Sequence, residues 1–239
     1  MIKKSIIGLI LLSYLLMGKD TVKKKVNPIR VTIKGEKNVI ILRGKVNTEM
    51  KDRFIEKSIQ SDDNIFVYID SPGGSVYEMN EIINYMKHSG KQYVCVAKFA
   101  ASAAFSIFQF CQKRYMIPFS SISMQHDAAG QMDGDLPAMK AQLDMWLKIT
   151  EKIDKIIAKR MKISLEKYKQ LIANDLWLTY DMALEYNAVD SSAFVTCTKK
   201  ALNTWKIRKR RVCSFIFGCK NITIKESLCP LISPKEEKE

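Results

Sequence analysis

Along the chain the hydrophobic pattern changes period several times. Val39-Ile40-Ile41-Leu42 is a compact β-branched run, and Ile65-Phe66-Val67-Tyr68-Ile69 and Tyr93-Val94-Cys95-Val96-Ala97 repeat it. Short apolar runs of this kind predict buried strands. Between them the spacing lengthens. Met50 to Ser61 has helical spacing, and the segment Val76 to His88 puts Val76, Met79, Ile82, Ile83 and Met86 on one helical face, with Gly90 just beyond its end. Ala100 to Gln109 is small and apolar, which predicts a helix packed in the interior. Two short strands are expected at Tyr115 to Pro118 and Ser121 to Met124. Leu136 to Met161 is the longest helical stretch, with more apolar positions than one narrow stripe needs. It reads either as a core helix or as an arm whose second face is buried by another subunit. Ser164 to Ala173, with Ser164 as N-cap, and Thr179 to Tyr186 complete the helices. Strand alternating with helix predicts an α/β core with crossover connections.

Composition adds limits. With 239 residues, 47% of them hydrophobic, the chain can bury a real core, so disorder throughout is excluded. The net charge of +14 fits an anionic partner, a membrane surface or a lysine-rich background. Much of the excess is local, because Lys199 to Arg211 contains seven basic residues and no acidic one. Trp205 lies in that run, yet basic runs are more often solvated than bound to nucleic acid, so nucleic acid is not an expected partner. Met1 to Gly18 has a short basic start and an apolar stretch below the roughly 20 residues of a spanning helix. It fits a signal-peptide core or an uncleaved anchor, and export or membrane attachment is expected, with a cytoplasmic location as the alternative. Residues 19–37 read as a basic linker with a short strand at Ile29 to Ile33, residues 38–195 as the folded body, and 196–239 as a basic, cysteine-containing extension. Cys197, Cys213, Cys219 and Cys229 of that extension permit one or two disulfides, or remain four thiols in a reducing compartment. Asn221-Ile222-Thr223 matches a glycosylation acceptor.

The candidate chemistry lies in the body. Asp70-Ser71-Pro72-Gly73-Gly74-Ser75 is a turn that opens a helix and leaves backbone N–H groups free to face a cleft. Ser102 sits among alanines, His126 follows the strand-like Ser121 to Met124, and Asp175 precedes Leu176-Trp177-Leu178. A hydroxyl, an imidazole and a carboxylate are the parts of an acyl-transfer site. Taken singly, each has a plainer reading: a packing serine, a structural histidine, a helix cap. The second histidine, His88, sits at a helix end, where a cation favours the dipole. No phosphate-binding loop, HExxH or clustered metal ligands appear, so neither a cofactor nor a metal is expected.

At these residues the chain resembles the ClpP family of serine peptidases, from about Asn38 to Asp190. The resemblance is carried by Ile40 to Asn47, Tyr68-Ile69-Asp70-Ser71-Pro72-Gly73-Gly74, Ala100-Ala101-Ser102, Asn174 to Leu178 and Ala183 to Asp190. It implies a ClpP/crotonase-like fold of repeated β-β-α or β-α units with a long projecting handle helix, here Leu136 to Met161. It implies Ser102 as nucleophile, His126 as general base and Asp175 as the group that orients the imidazole, with the N–H groups of Gly74 and Ala103 as the oxyanion hole. Peptides or unfolded proteins would be the substrates, homo-heptameric rings the assembly and a separate AAA+ unfoldase the partner. Three places depart from the family pattern. Lys98 stands where glycine is common and puts a long cation at the expected cleft wall; Asp127-Ala128-Ala129 follows His126; and Asn174 replaces an arginine. Two alternatives accompany this reading: a membrane-associated peptidase resembling signal peptide peptidases or NfeD proteins, with a lysine base, and an inactive ring-forming interaction subunit.

Overall fold

The computed structural model describes residues 27–130, 134–214 and 218–237. Six strands, β1 (Ile29–Ile33), β2 (Val39–Arg43), β3 (Asn64–Ser71), β4 (Gln92–Ala101), β5 (Lys113–Met116) and β8 (Ser191–Cys197), form a parallel ladder in the order β1-β8-β5-β4-β3-β2. A parallel sheet needs both faces covered, which is why its strands read as continuous apolar runs. One face packs on α1 (Thr48–Gln60), α2 (Val76–His88), α3 (Ala103–Phe110) and the last turns of α4 (Leu136–Met161), in a core that includes Phe54, Ile65, Ile69, Ile82, Phe105 and Ile157. Phe54 stacks on Tyr93 with ring centroids 5.5 Å apart. The second face buries Ile33, Tyr68, Val96 and Val195 under Ala201 and Leu228, which lie near the C-terminus.

Several local choices follow from the sequence. Asn47, Ser75, Asp135 and Ser164 each accept a backbone N–H at a helix start. Helix α4 ends at Lys162, whose left-handed backbone closes the last turn. Only its C-terminal part is buried, at Ile153, Asp154, Ile157, Ala158 and Met161. Leu136, Leu143, Met145 and Leu147 stay exposed, so the first half projects as an arm.

The run Ala100 to Gln109 departs from expectation. It does not form one helix: β4 continues through Ala101, Ser102 intervenes, and α3 begins at Ala103. Ala100 is in register with Ser71 on one side and Ser123 on the other, so its small side chain serves a crowded ladder rather than a helix. Two strands were not read from the sequence, β7 (Leu176–Thr179) and β8. The body also extends beyond 38–195, because β1 pairs with β8 along Ile29 to Ile33 and β8 runs on through Thr196 and Cys197.

After β8 come a short helix (Lys199–Asn203) and an antiparallel hairpin of β9 (Trp205–Ser214) and β10 (Gly218–Ser227), with β11 (Lys235–Glu237) on its other edge. A disulfide joins Cys197 to Cys229, Cys219 is also disulfide-bonded, and a further disulfide joins Cys95 to Cys111 inside the body. Among the described residues no helix is long and apolar enough to cross a membrane. The apolar stretch Met1 to Gly18 lies outside the described residues.

Candidate active site

Strand β4 changes partner along its length. Val94 to Ala97 pair with β5, whereas Phe99 to Ala101 pair with β6 (Ile122–Gln125). The handover coincides with a bulge: Ile69 is level with Ala97 but Asp70 with Phe99, so Lys98 is the extra residue. Strand β6 in turn pairs antiparallel with β7, with Gln125 opposite Leu176. Three neighbouring strands therefore end together. Ser102 follows β4, His126 follows β6, and Asp175 precedes β7, so one further step of the β6–β7 register sets Asp175 opposite His126.

Ser102 has φ 54° and ψ −123°, an unusual backbone for a residue with a Cβ, and such a conformation costs about 1–3 kcal/mol. Its surroundings enforce it. The Ser102 N–H donates to the Met124 carbonyl at 2.8 Å, and the Ser102 carbonyl accepts from the Ser106 N–H at 3.1 Å. Although Ser102 occupies the N-cap of α3, its side chain caps nothing. Instead its Oγ lies 2.8 Å from His126 Nε2, both residues being partly buried. A neutral imidazole with Nε2 unprotonated accepts the hydroxyl proton in that contact.

The Gly73-Gly74 turn is pressed against this corner. A Cβ on Gly73 would lie 2.5 Å from the Ala101 carbonyl oxygen, 2.8 Å from Ser102 Cβ and 2.9 Å from the Ala103 nitrogen. Gly73 also has φ +90°, so glycine is required twice over. Val46 fastens the turn from the other side by donating to Gly73 O at 2.8 Å and accepting from Ser75 at 2.9 Å. The N–H groups of Gly74 and Ala103 have no hydrogen-bond partner among the described residues. The Ala103 amide belongs to the first turn of α3, where the helix dipole favours negative charge.

Asp175 departs from expectation. It is solvent-exposed, and among the described residues its carboxylate makes no hydrogen bond to His126, the ring that the resemblance has it orient. The backbone brings it to the site; the side chain does not close on the ring. Lys98 departs too. The bulge turns it to Asp70, with Nζ 3.5 Å from Oδ2, and it does not line the cavity beside Ser102. His88 sits at the end of α2, with Nδ1 2.8 Å from the Asn84 carbonyl, as its place in the sequence suggested.

A cavity of about 570 Å³ opens beside Ser102 and His126, between α2, α3, α4 and α5 (Leu165–Ile172). Val76, Met79 and Ile153 supply apolar wall, and Asp127, Asp154 and Lys169 supply charge. Asp154 and Lys169 escaped the sequence reading. Burial pushes the Asp154 carboxyl up to about 6, with Lys169 opposing and Asp127 and Glu151 reinforcing the shift. A signal for it existed: Asp154 falls beside Ile153 and Ile157 on the buried stripe of α4, where an ordinary solvent-facing acid has no place.

Residues 26–194 match the family described as Clp protease. The chain is also 27% identical, over 160 residues, to the ATP-dependent Clp protease proteolytic subunit 1 of Prochlorococcus marinus (strain NATL2A), an overlap of 64% of this chain and 82% of that protein.

Proposed function

Because the chain belongs to the Clp protease family, we propose that it is a serine endopeptidase that acts through Ser102 and His126. The observation that carries this reading is the 2.8 Å approach of Ser102 Oγ to His126 Nε2 beside two amides that have no partner among the described residues. As His126 takes its proton, the Ser102 oxygen attacks the carbonyl carbon of a peptide bond. The carbonyl oxygen becomes an oxyanion facing the N–H groups of Gly74 and Ala103, and removing one such donor typically costs about 2.7–4 kcal/mol of transition-state stabilisation. His126 then returns its proton to the leaving amine, the C–N bond breaks, and an ester on Ser102 remains. A water molecule, deprotonated by His126, hydrolyses that ester and restores the serine. Asp175 acts as the orienting carboxylate once it turns from solvent toward the ring, a tightening common when a substrate or neighbouring subunit closes a site.

The projecting half of α4, with Leu143, Met145 and Leu147 exposed, suits a ring assembled from copies of the chain. Unfolded protein would reach such a ring from a separate AAA+ unfoldase. The lysine-base alternative has less support, since Lys98 is paired with Asp70 and the imidazole occupies the position beside Ser102.

Short fluorogenic peptides, which need no unfoldase, test the reading on size-separated oligomeric fractions. Hydrolysis is expected, together with labelling of Ser102 by a phosphonofluoridate. Ser102→Ala and His126→Ala should each lower kcat by at least about a thousandfold. Full-rate cleavage by either variant, or a wild-type protein that neither cleaves nor labels, would refute it.

A further inference from the structure

The cavity beside Ser102 contains a group that the chemistry of bond cleavage does not use. Asp154 is only 8% exposed, lines the cavity and makes no hydrogen bond or ion pair among the described residues. A carboxylate removed from water without a partner is costly, so its surroundings normally supply one. Here the missing partner is on the open side. Helix α4 buries Ile153, Ile157 and Ala158 around Asp154, which leaves the cavity as the direction from which a cation can reach it.

The charges facing Asp154 come from each element packed about it. Glu151, on α4, is paired with Lys155, Nζ to Oε1 at 2.7 Å. Asp127, in the segment after β6, makes no ion pair within the described residues, nor does Lys169 of α5. Tyr168, also on α5, is fully buried, and burial drives its hydroxyl further from ionisation. Discounting the paired Glu151, two carboxylates stand against one ammonium with no ion pair among the described residues, so the described lining carries an excess of negative charge. Its remaining wall includes Val76, Met79, Leu147 and Ile153, which suit the methylene stem of a long side chain.

Resting on the peptidase reading, we propose that this cavity is a specificity pocket for a basic residue, with Asp154 as its anionic floor. The occupant is the lysine or arginine whose own carbonyl Ser102 attacks, because the cavity opens at that serine. The stem lies along the apolar wall and the ammonium or guanidinium meets Asp154, with Asp127 nearer the mouth. Lys169 competes for the same carboxylates.

The test uses the assembled full chain and two matched fluorogenic peptides, one with lysine and one with leucine before the scissile bond. The wild-type ratio of kcat/KM should favour lysine, and Asp154→Asn should lower that ratio about ten- to a hundredfold, the usual range for a lost charge-assisted hydrogen bond. Lys169→Met should raise it. Since both peptides depend equally on His126, the ratio isolates the pocket, and it should fall as pH drops through about 6, where Asp154 takes up a proton. A wild-type preference for leucine, or a ratio that Asp154→Asn leaves unchanged, would overturn the pocket while leaving the peptidase intact. Cleavage of neither peptide would overturn both.

Discussion

The end of the parallel ladder that carries Ser102 and the C-terminal hairpin of β9 and β10 are fixed in different ways. At the ladder end, position comes from packing and backbone hydrogen bonds: Ala100, Ala101 and Phe105 are buried, and Ser102 is tied to Met124 and Ser106. The hairpin instead rests on groups in or near solvent. Lys206 pairs with Glu36, Arg208 with Glu49 and Glu226, and Arg43 donates to the Pro230 and Ile232 carbonyls, with the Cys197–Cys229 disulfide as the covalent tie. Exposed ion pairs contribute at most about 1 kcal/mol each and weaken with salt. The corner around Ser102 therefore depends on shape, whereas the hairpin depends to a larger extent on charge and on its disulfide.

Gly73→Ala is the most forceful way to break the first half of this contrast. Its methyl would collide with backbone at Ala101 and Ala103 while forcing φ +90° on an L-residue, so at least about 2–3 kcal/mol of stability should be lost. Peptidase activity should fall with it. Unchanged activity and an unchanged denaturant midpoint would show that the corner tolerates a shift the geometry forbids.

Replacing both Cys197 and Cys229 by serine probes the other half. A cross-link spanning 32 positions stabilises by about 3–4 kcal/mol through the unfolded chain. Amide exchange should accelerate in β9 and β10, and cleavage of short peptides should change by less than about threefold. Parallel loss of activity would mean that the two regions are coupled after all.

The smallest expected effect sharpens the contrast inside the site-bearing region, where Asp154 is a charge in a region otherwise organised by packing. Its folded pKa, about 6, lies above the ordinary value of 3.8, so the folded chain binds more protons than the unfolded chain between those pH values. Stability then falls as pH rises through that window. Asp154→Asn should stabilise the protein at pH 7.5 by an amount on the order of 1 kcal/mol, and the gain should shrink toward zero as pH approaches 4. Thermal unfolding at several pH values reads it directly; a gain of equal size at pH 4 would exclude the carboxylate as its source. A charge retained at such a cost is characteristic of binding sites.

How far the sequence discloses this molecule depends on which contacts are local. Helix α2, the Ser164 cap and the whole of α4 are legible, because amphipathic spacing and caps act within a few residues. The boundary at Ser102 is not. Ala100 and Ala101 are equally compatible with a buried strand or a helix, and only the ladder with Ser71, Ser123 and Met124 decides. The Cys95–Cys111 bridge and the short strand β7 likewise depend on partners remote in the chain. Ser102 and His126 can be named in advance only through the resemblance to the ClpP family, since each taken singly has a plainer reading. Asp154 is harder to single out, since an acid within a long helix looks solvated until the helix is seen to turn that face inward.

The transfer of β4 from β5 to β6 has one more consequence. Because successive strand residues point to opposite sides, the distance from the Lys98 bulge to Ser102 acts as a ruler whose length determines where the serine hydroxyl faces. Side chains along Phe99, Ala100 and Ala101 can vary within the limits of packing, but their number cannot.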